Sequence, residues 1–470
     1  MTNSKYDLVV VGAGPGGYVA AIRASQLGLN AAIVEKESVG GVCLNWGCIP
    51  TKALLRSAEV GHLLNNLEAY GFSADNVSFD IKKIVQRSRN VAKQLSSGVS
   101  HLLKKNKVTV IMGSASLKKK SGDEFNIEVL QEDKTYFNLK STNVIMATGA
   151  RAKSLPNIVP DREDIWTYKE AMVPNTLPKS ILVIGSGAIG IEFASFYNDL
   201  GVDVTIVEVL DRILPAEDID ISKFACKSFV KQGIKIKTSS MVKSLKKSKG
   251  KISVQIETAA GSEEVSVEKV IMAVGIIGNT ENLGLENTAA EVSNGQLVVD
   301  KWGATKEPGL YAIGDLVGAP WLAHKASHEG VICAERIAGI ENVHPLDTSN
   351  IPGCTYSRPQ VASVGLTQKL AEDAGYKVRV GHFPFVGNGK AIALGETDGF
   401  VKTVFDAKTG ELLGAHMIGA EVTEMIQGYT VARTLETTES ELLNTVFPHP
   451  TLSEMMHESV LDAFDRAIHI

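Results

Sequence analysis

An α/β protein with two similar parallel-sheet domains followed by a smaller α+β domain is the fold that this 470-residue sequence predicts. Three observations carry the prediction. A strand–glycine turn–helix–strand unit occurs twice with the same internal spacing. Each copy is closed by a later strand that ends in a small-residue turn. From about residue 350 the pattern changes to alternating strands and then helices.

In the first copy an apolar run over residues 6–11 leads into Gly12-Ala13-Gly14-Pro15-Gly16-Gly17, then a helical stretch that Gly28 ends, then a strand ending at Glu35. In the second, residues 180–184 lead into Gly185-Ser186-Gly187-Ala188-Ile189-Gly190, a helix ended by Gly201, and a strand ending at Glu208. The first glycine and the acidic residue are 23 positions apart both times, and an alanine (Ala21, Ala194) falls four after the third glycine. One such motif is weak evidence; two with identical spacing leave little to coincidence. The pattern is that of Rossmann-like dinucleotide-binding domains.

Each glycine has a physical reason. The first (Gly12, Gly185) allows the tight turn, the second (Gly14, Gly187) lets a diphosphate approach the backbone, and the third (Gly17, Gly190) lets helix and strand pack closely. The helix N-terminus then offers N–H groups to the pyrophosphate. Glu35 and Glu208 suit hydrogen bonding to a ribose diol. A carboxylate repels a 2′-phosphate, so the dinucleotide expected at Glu208 is NAD, not NADP.

The closing strands are residues 143–146, leading into Ala147-Thr148-Gly149-Ala150, and 269–272, leading into Ala273-Val274-Gly275. The expected domains are therefore 1–150, 151–275, a segment 276–349 completing the first, and 350–470. Within the first, Ile81, Ile84, Val85, Val91, Leu95, Val99, Leu102 and Leu103 recur at helical intervals and predict a long amphipathic helix.

A hydrophobic content of 44% with 21% charged residues suits a globular protein, and a net charge of −5 argues against nucleic acid or an anionic membrane as a partner. The basic stretches Lys118-Lys119-Lys120 and 243–251 read as solvated turns between strands. No apolar run reaches membrane-spanning length. The polar start, Met1-Thr2-Asn3-Ser4-Lys5, leads straight into a strand, so the expectation is a cytoplasmic chain, or a mitochondrial-matrix one whose presequence has been removed.

Five scattered cysteines are too few for a disulfide scaffold. Cys226, Cys333 and Cys354 read as small buried hydrophobes. The close pair in Gly40-Gly41-Val42-Cys43-Leu44-Asn45-Trp46-Gly47-Cys48-Ile49-Pro50-Thr51-Lys52 is a candidate for redox chemistry or for metal binding. Positions five apart on an ideal helix rise by about 7.5 Å, too far for a disulfide, so a bonded pair requires a distorted segment. The glycines and Pro50 permit one, and no second Cys/His pair at zinc spacing accompanies the two cysteines.

That segment resembles the active-site segment of the class I pyridine nucleotide–disulfide oxidoreductases. The resemblance extends to Tyr311-Ala312-Ile313-Gly314-Asp315, Leu322-Ala323-His324-Lys325-Ala326 and Phe447-Pro448-His449-Pro450-Thr451-Leu452-Ser453-Glu454, and covers essentially the whole chain. It implies FAD in the first dinucleotide domain, NAD in the second, and a C-terminal dimerisation domain. It implies Cys48 as the thiol nearest the flavin and Cys43 as the one that exchanges with substrate sulfur. Lys52 would point back to the flavin and pair with Glu192 beside the nicotinamide. Asp315 would hold the ribityl chain, with Thr148, Gly149 and Ala323 also at the FAD and Gly275 at the NAD.

His449 lies between two prolines, and thiol–disulfide exchange needs a base to make thiolate and an acid to protonate the leaving sulfur. Glu454 would orient its ring. In the family this pair is supplied across a dimer interface, which implies a homodimer. The implied substrate is dihydrolipoamide, borne by a partner acyltransferase or a glycine-cleavage carrier protein. Glutathione- and mercuric-reductase types are the rivals, together with a non-catalytic FAD/NAD-binding redox sensor. The first rival wants basic residues where Glu208 stands, and the second a C-terminal cysteine pair absent here. Two departures stand out: Ile276-Ile277-Gly278-Asn279 where relatives carry Arg-x-Pro-Asn, and Ser327-His328-Glu329-Gly330 in place of a more acidic run.

Overall fold

The computed structural model describes residues 4–248 and 250–469. Residues 1–3 of the polar start and residue 249 of the second basic stretch lie outside them. The chain divides into two compact units, one of Met1–Ala53, Lys83–Lys153 and Gly275–Leu346, the other of Leu54–Lys82, Ser154–Val274 and Asp347–Ile470.

In the first unit the strand Ser4–Val11 lies between Ala31–Glu35 and Tyr136–Met146, parallel to both, and Thr109–Met112 extends the sheet. The unbroken apolar run Leu8–Val11 suits a strand covered on both faces. Leu8 and Val10 join a core with Ala20, Ala21 and Ala24 of helix α1 (Pro15–Gln26), while Val9 and Val11 join Phe125, Ile127 and Val129 in another. The strand Tyr136–Met146 is shared: its first half pairs antiparallel with Glu124–Leu130, its last residues parallel with Leu310–Ala312.

The next helices are α2 (Gly41–Trp46), α3 (Cys48–Leu64) and α4 (Ile81–Lys105). The predicted amphipathic helix is α4, but its buried face differs from the expected stripe. Val99 and Leu103 are buried, Leu95 and Leu102 are exposed, and the line continues instead through Ala92 and Ser88. Small residues on that face allow close approach to a neighbour, which the large-residue pattern did not disclose.

Most residues of the basic stretches lie in strands, and only Gly250 of the described ones is in a turn. Lys118–Lys120 lie in the strand Ser114–Ser121 at the edge of its sheet, and the second stretch runs through Met241–Ser248 into Lys251–Thr258. Edge strands point alternate side chains to solvent, and carboxylates meet them there: Lys118 with Glu128 at 2.8 Å, Lys120 with Glu307 at 3.0 Å and Lys247 with Asp164 at 3.0 Å.

The second unit repeats the parallel sheet in the order Lys235–Lys237, Asp203–Val207, Ser180–Ile184, Lys269–Met272, Ile165–Trp166. Its C-terminal part is a five-stranded antiparallel sheet, Gly353–Thr355, Gln360–Gly365, Leu412–Gly419, Phe400–Asp406 and Val378–Pro384. Helices Val422–Thr434 and Glu454–Ala463 close over it with Tyr429, Met455 and Val460 in the core. Among the described residues no helix is long and apolar enough to cross a membrane.

Candidate active site

The distortion expected between the two cysteines is at Gly47. Helix α2 ends at Trp46, Gly47 takes φ −140° and ψ −119°, and α3 starts at Cys48. A Cβ on Gly47 would stand 3.0 Å from the Val42 carbonyl oxygen and 3.3 Å from Cys43 Cα, so the chain folds back tightly on the start of α2, where a side chain would make its neighbours give by a few tenths of an ångström. Thr51 donates its hydroxyl to the Gly47 carbonyl at 2.7 Å, and Asn45 Nδ2 donates to the carbonyls of Val39 and Gly41.

Cys43 and Cys48 are free thiols whose side chains hydrogen-bond to one another, so the distorted segment brings the two sulfurs together. The Cys48 hydrogen bond and then burial hold the Cys43 thiol far above its ordinary value, while the Lys52 charge acts in the opposite sense. Cys43 is half-buried and Cys48 exposed. Of the other three, Cys333 is the fully buried hydrophobe expected, while Cys226 and Cys354 are half-buried, Cys354 packed against the core of the C-terminal sheet.

The two glycine turns have the same construction. A Cβ on Gly12 would stand 2.3 Å from the Ala147 carbonyl oxygen and one on Gly17 1.9 Å from the Gly12 oxygen; at Gly185 and Gly190 the distances are 2.4 Å to Ala273 and 2.1 Å to Gly185. The first and third glycines are thus demanded by the protein's own packing. The second is not: a Cβ on Gly187 meets nothing within 4 Å, and one on Gly14 only Gly41 Cα at 4.0 Å. Gly14 and Gly187 are also the N-caps of their helices, with no side chain capping either. Space above bare N–H groups is what a pyrophosphate needs, so both turns fit a dinucleotide.

Glu35 and Glu208 are buried and equivalent. Glu35 accepts the Ala13 N–H at 2.8 Å and the Glu37 N–H at 2.7 Å; Glu208 accepts the Ser186 N–H at 2.9 Å, the Ser186 hydroxyl at 2.6 Å and the Leu210 N–H at 2.9 Å. Each carboxylate therefore ties its glycine turn to the end of the second strand, a structural duty beside any contact with ribose.

At the closing turns, Gly149 and Gly275 both have positive φ (65° and 104°). Thr148 donates its hydroxyl to the Asn279 carbonyl at 2.8 Å, and Asn279 Nδ2 returns a bond to the Thr148 carbonyl at 2.9 Å. Asn279, the residue of that segment that keeps the family pattern, thus fastens the first closing turn, and Arg151 bonds to its side chain at 3.1 Å. Asp315 follows Gly314 in a short 3₁₀ turn, and burial raises its carboxyl above the ordinary range against the opposing Lys325 charge. The second departure gains a role here: Glu329 pairs with buried Lys325 at 2.8 Å and accepts the Gly314 N–H at 2.7 Å, bracing the turn that presents Asp315. Lys325 and Glu329 were missed as site residues, although their four-residue spacing on one helix, Ala323–Ile337, was a usable signal.

His449 Nδ1 lies 2.8 Å from Glu454 Oε1, the arrangement expected for an oriented imidazole. The His449 side chain is 79% exposed, leaving its other nitrogen available to a reacting group. Burial raises the Glu454 carboxyl, but the Thr451 N–H and His449 outweigh it and hold the group below the ordinary range. Glu192 is buried in the helix Ala188–Asp199 and accepts the Tyr356 N–H at 3.0 Å. Lys52 stands one turn into α3, its charge acting on Cys43.

Residues 6–330 match the pyridine nucleotide-disulphide oxidoreductase family, and residues 351–460 match the dimerisation domain of that family. The chain belongs to the pyridine nucleotide-disulphide oxidoreductases. Among members of this family, it is 56% identical to a dihydrolipoyl dehydrogenase of Zymomonas mobilis and 54% identical to one of Rhizobium etli, each alignment covering 99% of both chains. The dihydrolipoyl dehydrogenase of Bacillus subtilis is 43% identical over 99% of both. In structure the chain is similar to LpdA of Mycobacterium tuberculosis, with a TM-score of 0.90 at 27% identity over 98% of this chain and 99% of that one.

Proposed function

We propose that this chain oxidises protein-bound dihydrolipoamide to lipoamide and reduces NAD⁺ to NADH, the dihydrolipoyl dehydrogenase activity shared by 2-oxo acid dehydrogenase complexes and glycine cleavage. The observation that carries the substrate is the 56% identity to a dihydrolipoyl dehydrogenase along 99% of both chains. The thiol pair at Gly47 and the His449–Glu454 pair supply the chemistry.

In this reading residues 1–150 and 276–349 hold FAD, 151–275 hold NAD, and 350–470 join two copies of the chain into a homodimer. Gly12, Gly14, Gly17, Glu35, Thr148, Gly149, Asp315 and Ala323 hold the flavin nucleotide; Gly185, Gly187, Gly190, Glu208 and Gly275 hold the nicotinamide nucleotide. The bacterial relatives favour the cytoplasm.

His449 of the partner subunit takes a proton from a substrate thiol. The resulting thiolate attacks Cys43 Sγ, the bond between the two cysteines breaks, and Cys48 leaves with the electron pair. The second substrate thiol, deprotonated in turn, attacks the substrate sulfur bound to Cys43 and closes lipoamide, releasing Cys43 as a thiol. Cys43 is strongly biased to the protonated form, so its release needs a proton donor, and the imidazolium that His449 becomes on accepting a substrate proton supplies it. FAD, when bound, supplies the two-electron chemistry between the dithiol and NAD⁺. Lys52, Glu192 and Asp315 are the residues that would serve it, the first two toward the nicotinamide and the third toward the ribityl chain.

The test is NADH formation by the purified holoenzyme from dihydrolipoamide with NAD⁺ or NADP⁺. The expected result is rapid reduction of NAD⁺, little of NADP⁺, and none by the Cys48→Ser variant. Inertness toward dihydrolipoamide, with oxidation of NADPH by glutathione disulfide or mercuric ion, overturns the substrate.

A further inference from the structure

One cation packed against the cysteine loop has no role in the reaction as described. Arg89, on α4, places its guanidinium 4.4 Å above the Trp46 ring. Its Nε and Nη2 are sealed from solvent, and neither finds a hydrogen-bond partner among the described residues. A guanidinium stays charged, and a desolvated donor with no acceptor is a cost that native structures keep only for a reason. Burial accordingly lowers the Arg89 pKa from its ordinary value. The face of Trp46 is the compensating partner, and tryptophan is the aromatic best suited to hold a cation.

Trp46 is the last residue of α2 and precedes Gly47 and Cys48. The break at Gly47 that brings Cys48 back to Cys43 begins where Trp46 is pinned. The same helix touches the loop at other points. Ser96, two turns beyond Arg89 on the same face, donates its hydroxyl to the Val39 carbonyl at 2.6 Å, just before the loop begins. Arg87 donates to the Ala53 carbonyl at 2.7 Å, in the turn of α3 after Lys52. Helix α4 thus holds the redox loop at its start, at its break and beyond its end. The small buried residues Ser88 and Ala92 on that face give the room to do so.

We propose that Arg89 is a positioning residue of the redox centre: stacked on Trp46, it holds the Gly47 break in the form that keeps Cys43 and Cys48 within bonding reach. The proposal rests on the reading of the pair as the working dithiol–disulfide. An intramolecular disulfide is favoured in proportion to the effective concentration of its two thiols, and a loop fixed from outside raises that concentration. Releasing the stack lowers it, makes the disulfide easier to reduce, and moves the potential of the pair upward.

The experiment equilibrates the holoenzyme in dithiothreitol redox buffers, traps thiols by alkylation and reads the Cys43–Cys48 state by mass spectrometry. Arg89→Met and Trp46→Leu are each expected to disfavour the disulfide by roughly tenfold, a shift of about 30 mV. The double variant should shift no further than either alone, because both remove one contact. Arg89→Lys, which keeps a cation over the ring, should recover part of the effect. Unchanged equilibria in both single variants, or shifts that simply add, overturn the proposal. So does a full loss in Arg89→Lys equal to that in Arg89→Met. Thermal melting confirms that each variant is folded, and Arg89→Lys decides the matter if the Met variant is not. A wild-type pair that forms no disulfide in any buffer defeats the redox reading itself, and wild-type turnover of dihydrolipoamide reports on the substrate separately.

Discussion

Gly41 and Gly14 meet backbone to backbone: a Cβ on Gly41 would come within 2.6 Å of Gly14 Cα. The loop that carries the cysteines and the turn that fits a pyrophosphate are therefore seated on one another, and Gly41 also needs its positive φ of 58°. Gly41→Ala is expected to push the two apart. Flavin retention after dialysis, read from visible absorbance, should fall by more than the melting temperature does, because the displaced group is the phosphate-facing turn and not the sheet. The strain itself costs about 1–2 kcal/mol.

The His449–Glu454 contact separates orientation from basicity. Glu454→Gln keeps the shape but replaces the carboxylate that fixes the ring through Nδ1. Dihydrolipoamide oxidation is expected to lose roughly one to two orders of magnitude in kcat with little change in KM, and His449→Gln to lose more. Steady-state kinetics with NAD⁺ at saturation check both.

Glu208 has two duties that substitution can divide. Glu208→Ala leaves the buried Ser186 N–H and hydroxyl and the Leu210 N–H without their acceptor, at a cost of about 1–3 kcal/mol for each group that water does not reach. Glu208→Gln keeps an acceptor and removes the charge. The alanine variant should melt markedly lower than the glutamine variant. The glutamine variant should raise the NADP⁺-to-NAD⁺ ratio of kcat/KM by roughly tenfold, since repulsion of a 2′-phosphate is relieved. Differential scanning fluorimetry and kinetics with both nucleotides read the two effects.

Burial lifts the Glu217 carboxyl to about 7 from its ordinary 4.5, against a hydrogen bond with Ser363 and with Asp218 adding to the rise. The folded state then binds this proton more tightly than the unfolded chain. The associated stability is fully present below about pH 4.5 and is lost as pH rises through 7. Over that window the change is on the order of 3 kcal/mol. Glu217→Gln is expected to flatten the corresponding part of the stability–pH curve, measured by urea unfolding at several pH values.

Much of this protein could be read along the chain because its chemistry is local in sequence. The glycine turns, their acidic residues and the cysteine loop are each complete within a few dozen positions, and the demand for a helix break between Cys43 and Cys48 followed from helix geometry alone. His449 and Glu454 stand five residues apart, close enough for their contact to be anticipated.

What escaped the sequence lies where partners are far apart along it. The edge strands bearing the basic stretches look like turns until carboxylates such as Glu307 and Asp164 are brought opposite them. Asn279 fastens Thr148 across 131 positions. The face that α4 buries is set by what it packs against, not by its largest side chains. By itself the sequence determined the fold class, the glycine turns and the close approach of Cys43 and Cys48, since periodicity and backbone sterics act between near neighbours. Only the tertiary structure decided that Glu208 also anchors Ser186, that Glu329 braces the Asp315 turn and that Arg89 rests on Trp46. Burial and pairing depend on which distant residues share one small volume, and no spacing along the chain records that.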